Sequence, residues 1–149
     1  MPARMLGKDR ALYLDLGRVS VIAEAKLNDR DLGILWKPPF RVEVTDILHP
    51  GANELEVRVV NLWPNRLIGD EQLPSDCEWV PPATISDQYR AAWGEVLDHW
   101  PQWLLENQPS PTGRVTFTTW KHWTKDDSLL ESGLLGPVRI IATARMPVE

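Results

Sequence analysis

Eight tryptophans stand in 149 residues, and five of them, Trp93, Trp100, Trp103, Trp120 and Trp123, fall in or beside a single long connection. An indole offers a flat apolar face with one polar handle. That suits stacking on the C–H face of a pyranose while neighbouring Asn, Arg, Asp or His side chains bind its hydroxyls. The alternative is that the rings pack the connection onto the rest of the chain, because large aromatics are mostly buried. Trp36, next to Pro38 and Pro39, and Trp123, beside His122 and Lys125, are the two rings expected to be exposed. A polar concentration, Asn65, Arg66, Asp70 and Glu71, lies just after a strand, where loops carry function. It reads either as a hydrogen-bonding fork for a sugar or as an internal network in which Arg66 pairs with Asp70 to fasten the loop. The candidate sugar-binding set is Trp36, Trp63, Asn65, Arg66, Asp70, Trp120, His122 and Trp123.

Glycosidases typically need two carboxylates about 5 to 10 Å apart. Asp70/Glu71 and Asp126/Asp127 are adjacent acids, but side chains adjacent in sequence usually diverge, and solvated acid pairs are commonplace. No catalytic residue is assigned, and the chain is not expected to be an enzyme by itself. His122 and Asp126 are four apart, which would suit a metal on a helix, but two ligands make no site. No metal and no cofactor is assigned. A phosphate-binding Gly-rich loop, a Cys pair and a Ser-centred elbow are all missing from the sequence.

The elements that must position these residues are mostly strands. Ala11–Leu16 alternates Leu12, Leu14 and Leu16 against Tyr13 and Asp15. Val19–Leu27 puts Val19, Val21, Ala23, Ala25 and Leu27 on one face, interrupted only by Ile22. The residues Asn28 to Asp31 tolerate a tight turn, so Leu32–Trp36 returns as the second arm of a hairpin. Pro38-Pro39 makes an extended corner without amide donors before Phe40, Val42 and Val44 resume the alternation. Thr45–Leu48 reads as one helical turn capped by Thr45 or Asp46. Asn53–Asn61 is the cleanest strand, with Leu55, Val57 and Val59 opposite Glu54, Glu56 and Arg58. From Leu62 to Thr112 the alternation disappears. Within that stretch Asp87–Asn107 has helical spacing, with Pro101 placed to open a second short helix. Arg114–Trp120 and Pro137–Arg145 read as strands, with Lys125–Gly136 as a loop between them.

Several of these runs carry a resemblance. The Leu27-Asn28 and Leu32-Gly33 hairpin, Val44-Thr45-Asp46 and the Pro50–Val59 run resemble the sugar-binding β-sandwich domain of family 2 glycoside hydrolases. The run Asn61–Asp70, then Thr118–Trp123 and Gly133–Pro137, resemble more closely the C-terminal domain of family 106 glycoside hydrolases, the α-L-rhamnosidases. The resemblance implies an all-β fold, an antiparallel jelly-roll β-sandwich of the galactose-binding type with a short helical insertion. It implies an accessory role, because the catalytic carboxylates of those families lie in a barrel that this chain does not contain. Related sandwiches often hold a structural calcium, yet no run of Asp and carbonyl-rich turns assigns one here. The expected partners are a carbohydrate, with rhamnose-containing ones among the candidates, and a catalytic barrel domain or a second copy of the chain. Further strands precede Ala11 in those families, so a sheet edge is expected to be covered here by Met1–Arg10 or by another copy. The alternatives are a structural β-sandwich that binds no sugar and an inactive piece of a larger hydrolase.

Composition sets the bounds. With 43% apolar residues, 149 residues suit one domain over 1–149, with the insertion at 75–112 inside it. A formal charge of −5 without a like-charge block gives no footprint for nucleic acid or an anionic membrane surface. The single Cys77 cannot form a disulfide within the chain. No signal-peptide pattern opens the sequence, which predicts a cytoplasmic location unless the chain belongs to a longer exported protein.

Overall fold

The computed structural model describes residues 1, 6–7, 9–82 and 94–145. In chain order the elements are β1 (Arg10–Asp15), β2 (Arg18–Ser20), β3 (Ile22–Leu27), β4 (Arg30–Leu35), β5 (Arg41–Glu43), β6 (Leu55–Val60), α1 (Pro64–Asp70), β7 (Trp79–Val80), β8 (Glu95–Leu97), α2 (Gln102–Leu105), β9 (Trp120–Lys121), β10 (Gly133–Gly136) and β11 (Arg139–Ala144). Every strand pairing among them is antiparallel. The fold is therefore all-β with two short helices among the described residues. None of their helices is long and apolar enough to cross a membrane. The chain divides into two compact units, Met1–Leu62 with Glu131–Glu149, and Trp63–Leu130. The second is wider than the 75–112 insertion read from the sequence.

In the first unit the sheets run β11-β1-β5, β10-β2 and β4-β3-β6. Alternation dictates its core: Leu12, Leu14 and Leu16 from β1 and its exit meet Val19, Ala23, Ala25 and Leu27, with Phe40 and Val44 flanking β5. Val57 and Val59 of β6 pack against that cluster half-buried. The hairpin closes through Asn28 and Asp29, both left-handed at φ 49° and 64°, between the opposed Leu27 and Arg30. Two such residues make the turn whose twist matches the strands it joins. Asn28 also fixes the turn to the next connection, donating to the Ile47 carbonyl at 3.0 Å and accepting from the Glu54 amide at 2.9 Å.

Three expectations change in this unit. Val19–Leu27 is not one strand: β2 pairs with β10, whereas β3 pairs with β4 and β6, and the break falls at Val21, beside the Ile22 that interrupts the alternation. A single straight strand could not serve both sheets. Gly133–Gly136, read as part of a loop, is the strand that β2 uses. Gly17 is needed there, since at φ +67° its Cβ would meet the Gly136 carbonyl carbon at 2.5 Å. The turn after Val44 does form, with the Ile47 and Leu48 amides donating to the Val44 carbonyl. Thr45 does not cap it, because its hydroxyl oxygen accepts from the Leu12 amide of β1 at 2.9 Å. Of the expected edge-covering tail, residues 2–5 and 8 lie outside the described residues; Met1 is hydrogen-bonded to Gly51.

In the second unit Pro64 opens α1 where a missing N–H costs nothing. The strands β7, β8 and β9 form a small meander. Among the described residues of Asp87–Asn107 the helical reading holds at α2, which follows Pro101. Residues 83–93, Tyr89 and Trp93 among them, lie outside the described residues, and Glu95–Leu97 is strand. Arg114–Trp120 is not a strand either, except at its last residue. The amides of Val115 and Thr116 go to a side chain on α1 instead of to a neighbouring strand.

Candidate functional site

That side chain is Asp70. It ends α1 almost wholly buried, at 2% exposure. Its Oδ2 accepts from the Val115 amide at 2.9 Å, the Thr116 amide at 2.7 Å and the Thr116 hydroxyl at 2.7 Å. Its Oδ1 faces Arg66 Nη2 at 3.0 Å, one helical turn back. Burial pushes the carboxyl's pKa up, but the Thr116 and Val115 hydrogen bonds and the Arg66 charge outweigh it and hold the group below its ordinary value. Asp70 is thus an anion at neutral pH with internal partners. Next to it, Glu71 accepts from Arg114 Nη1 at 2.7 Å, while Arg114 also donates to the carbonyls of Leu73 and Pro74, both at 2.9 Å. Asn65 exchanges two hydrogen bonds with the backbone of Leu130, at 2.8 and 2.7 Å. The Asn65–Glu71 cluster therefore fastens the loop, as the internal-network reading expects.

The segments held this way bring aromatic rings together. The Trp120 and His122 ring centroids are 4.9 Å apart, and those of His122 and Trp123 are 5.0 Å apart and nearly perpendicular. Trp120 is 37% exposed, His122 is exposed, and Trp123 is half-buried rather than open as expected. Trp100 stacks on Phe117 at 5.8 Å while staying 55% exposed, and the half-buried Trp103 meets the same ring edge-on at 5.9 Å. A pocket with about 50 Å³ of space is lined by Glu71, Asp76, Trp79, Lys121 and His122 together with the rings of Trp120 and Trp123. Trp63 lies elsewhere in the unit: 65% exposed, it lines an open, mostly apolar hollow with Leu67 and residues Val115–Thr118. Trp36 belongs to the first unit, 65% exposed as expected, with Lys37 Nζ 5.2 Å from its ring centroid.

The chain matches parts of two large proteins named for glycosidase activities. It is 51% identical over 137 residues to a Formosa agariphila protein named "Putative beta-glucuronidase", covering 92% of this chain and 11% of that protein. It superposes on the solved structure of a rhamnosidase from Novosphingobium sp. PP1Y with a TM-score of 0.59 and 31% identity, over 92% of this chain and 10% of that one. The chain thus spans about a tenth of the length of the relatives it matches. No protein-family model matches it.

Against that background the acids matter for how they are used. Asp70 is buried and Glu71 is paired with Arg114, while Asp127 accepts from the Thr124 amide at 2.6 Å and from its hydroxyl at 3.1 Å. Three of the four acids singled out in the sequence therefore serve the loop itself. Cys77 offers no nucleophile, since burial first, and then the hydrogen bond to and charge of Asp76, push its thiol up to about 12. Among the described residues Glu78, Asp98 and His99 bring ligating atoms within 4.8 Å of one another, all three exposed. Asp98 and His99 are already paired with each other at 3.2 Å. Sequence reasoning missed Asp76 and Trp79 as members of the pocket. Nothing in their spacing marks them, because a two-residue strand and a tertiary fold bring them there.

Proposed function

We propose that the chain is a non-catalytic accessory module of a large glycoside hydrolase, similar to those of the family 106 α-L-rhamnosidases, with a jelly-roll sandwich that binds carbohydrate or supports the catalytic domain. The observation that carries this reading is the match of nearly the whole chain to only about a tenth of two proteins named for glycosidase activities. The use of Asp70, Glu71 and Asp127 as internal ties supports the non-catalytic part. The rings of Trp120, His122 and Trp123 support carbohydrate binding, since clustered aromatics beside polar groups suit a pyranose. A supporting role has its own observation. Ile34, Trp36, Val60 and Leu62 of the first unit are exposed apolar side chains, suited to contact with another protein surface.

The test is an assay of the purified chain with aryl α-L-rhamnoside and aryl β-D-glucuronide, run beside a tryptophan-fluorescence titration with rhamnose-containing oligosaccharides. The expected outcome is no turnover and a saturable fluorescence change. Turnover that co-purifies with the chain and is lost in a Glu71→Gln variant would defeat the non-catalytic reading.

A further inference from the structure

In the sheet β4-β3-β6 one side packs on the core and the other faces solvent. Ala23, Ala25 and Leu27 of β3 point inward, joined by Val57 and Val59 of β6 and by Leu32 and Leu35 of β4. The residues between them point outward. Across that outer face Ile22 opposes Val60, Glu24 stands between Ile34 and Arg58, and Lys26 stands between Asp31 and Glu56. Trp36, next after the inward Leu35, emerges on the same side as Ile34. Ile34, Trp36 and Val60 are 60%, 65% and 49% exposed, so one end of the face is apolar and open. The other end is charged. A bulge shapes it: β4 takes three residue steps from Asp31 to Ile34 where β3 takes two, from Lys26 to Glu24, and Gly33 in β4 has φ +81°. A bulge bends the strand that carries it and re-aims the side chains beside it. The bent face holds an open hollow of about 390 Å³ lined by Glu24, Lys26, Asp31, Ile34, Glu56 and Arg58.

We infer that this hollow binds a neutral oligosaccharide, its hydroxyls on the five charged side chains and the C–H face of one pyranose against the apolar end at Trp36. Size, floor and charge select this ligand class. The volume falls in the range of small-ligand sites, about 300–1,000 Å³. The central strand β3 is hydrogen-bonded on both sides, so the floor offers side chains and no free ladder for a peptide strand to join. Three acids and two bases interleave in the lining, and Glu24 is paired with Arg58 at 3.3 Å. The excess acid disfavours an anionic ligand, and the bases between the acids disfavour a cation. Carboxylates accept and Lys and Arg donate, and the hydroxyls of a sugar answer both. These side chains are within reach of solvent, at 44% exposure for Glu24, 45% for Lys26 and 71% for Arg58. An indole beside such a polar hollow supplies the apolar surface on which a pyranose C–H face stacks. Trp36 keeps its 65% exposure even with Lys37 Nζ 5.2 Å from its ring centroid.

This inference rests on the carbohydrate-binding reading above but places the site in the first unit, away from the rings of Trp120, His122 and Trp123, and the experiment separates the two. The full chain is titrated with the neutral tetrasaccharides of glucose, xylose, mannose and rhamnose, and with tetragalacturonate. Calorimetry and indole fluorescence follow binding to the parent and to Trp36→Ala, Arg58→Ala and Trp123→Ala. Circular dichroism verifies that each variant is folded, and sedimentation velocity gives the oligomeric state of the parent and of Trp36→Ala. The expected result is saturable binding of a neutral tetrasaccharide, weakened about tenfold by Trp36→Ala and by Arg58→Ala, as loss of one stacked ring or one charged hydrogen bond implies. Trp123→Ala should leave it unchanged. Binding that is lost in Trp123→Ala and unaltered in Trp36→Ala and Arg58→Ala overturns the site while leaving the carbohydrate-binding reading in place. Tighter binding of tetragalacturonate than of any neutral tetrasaccharide overturns the ligand class. A parent dimer that Trp36→Ala turns into a monomer, without a response to sugar, gives the face to a second copy of the chain and overturns the inference. No saturable response of the parent to any of these oligosaccharides overturns the inference and the binding reading together.

Discussion

The two units of this protein are held together by different means. In the first, nine apolar residues form one buried cluster supplied by alternating strands. In the second, the buried residues among those described are Ile68, Asp70, Pro82 and Pro101, and order comes from side chains that reach backbone groups. Asp70 gathers Val115 and Thr116, Arg114 gathers Leu73 and Pro74, Asn65 gathers Leu130, and Trp103 gathers Asp76. A unit of alternating strands around one apolar cluster can rely on area removed from water, which is indifferent to exact partners. A unit of loops and two- or three-residue strands has little such area and depends on particular hydrogen bonds.

The contrast can be broken in several ways. The largest expected effect is Val57→Asp, whose carboxylate would face the apolar cluster unpaired. It should cost about 5 kcal/mol and leave the first unit unfolded, read by loss of the cooperative melt. Leu14→Ala, at a position 1% exposed, should cost about 3 kcal/mol in urea denaturation through the cavity it leaves. In the second unit Asp70→Ala should cost about 3 kcal/mol, because it strips the partners from two amides and a hydroxyl. Ile68→Ala, at 3% exposure, should cost about 2 kcal/mol. If Ile68→Ala proves the more damaging of these two, the second unit is a core-stabilised body like the first and the contrast collapses.

The smallest effect is with pH. Asp70 has its folded pKa below the ordinary 3.8, so its stabilisation is present above that value and is lost as pH falls through the lower folded one. Asp15 behaves in the same way in the first unit, held down by the Arg41 hydrogen bond and then by the Gly17 amide. Stability measured from pH 7 downward should stay level with respect to these two groups until about pH 4 and fall below it. An Asp70→Asn variant should start lower and fall less. Parallel curves for parent and variant would show that the Asp70 carboxylate is not what acid releases.

The same contrast explains what the sequence revealed. The strands β1, β3, β5 and β6 were legible because each turns alternate side chains into one cluster, the exposed Leu55 of β6 excepted, so the pattern in Leu12, Leu14 and Leu16 or in Ala23, Ala25 and Leu27 is the structure. The strand β10 was not, because Gly133 and Gly136 flank a pair of exposed leucines and its place is set by β2. The helix α1 had a signal in Pro64, but without an apolar stripe or a capping side chain nothing else announced it. The β-rich run Arg114–Trp120 misled, because a carboxylate far away in sequence takes the amides that a ladder would have used. In the candidate site, the Arg66–Asp70 pair was legible from its i, i+4 spacing. The place of Asp76 and Trp79 in the pocket was not, since only the folded chain brings them there.

One feature of the first unit bears on how it can be handled. Strands β1 and β11 pair over their full length, with Arg10 opposite Ala144, and the Arg145 amide continues the ladder to the Asp9 carbonyl at 2.8 Å. Residues 9 and 145 thus lie side by side, as the two leads of a plug do. A short linker from residue 145 to residue 9, with new ends opened at the exposed Asp29 turn, would yield a circular permutant that keeps the β1–β11 seam. The same adjacency lets the stretch from residue 9 to residue 145, both units included, be spliced into a surface loop of an unrelated carrier protein without prising that loop apart.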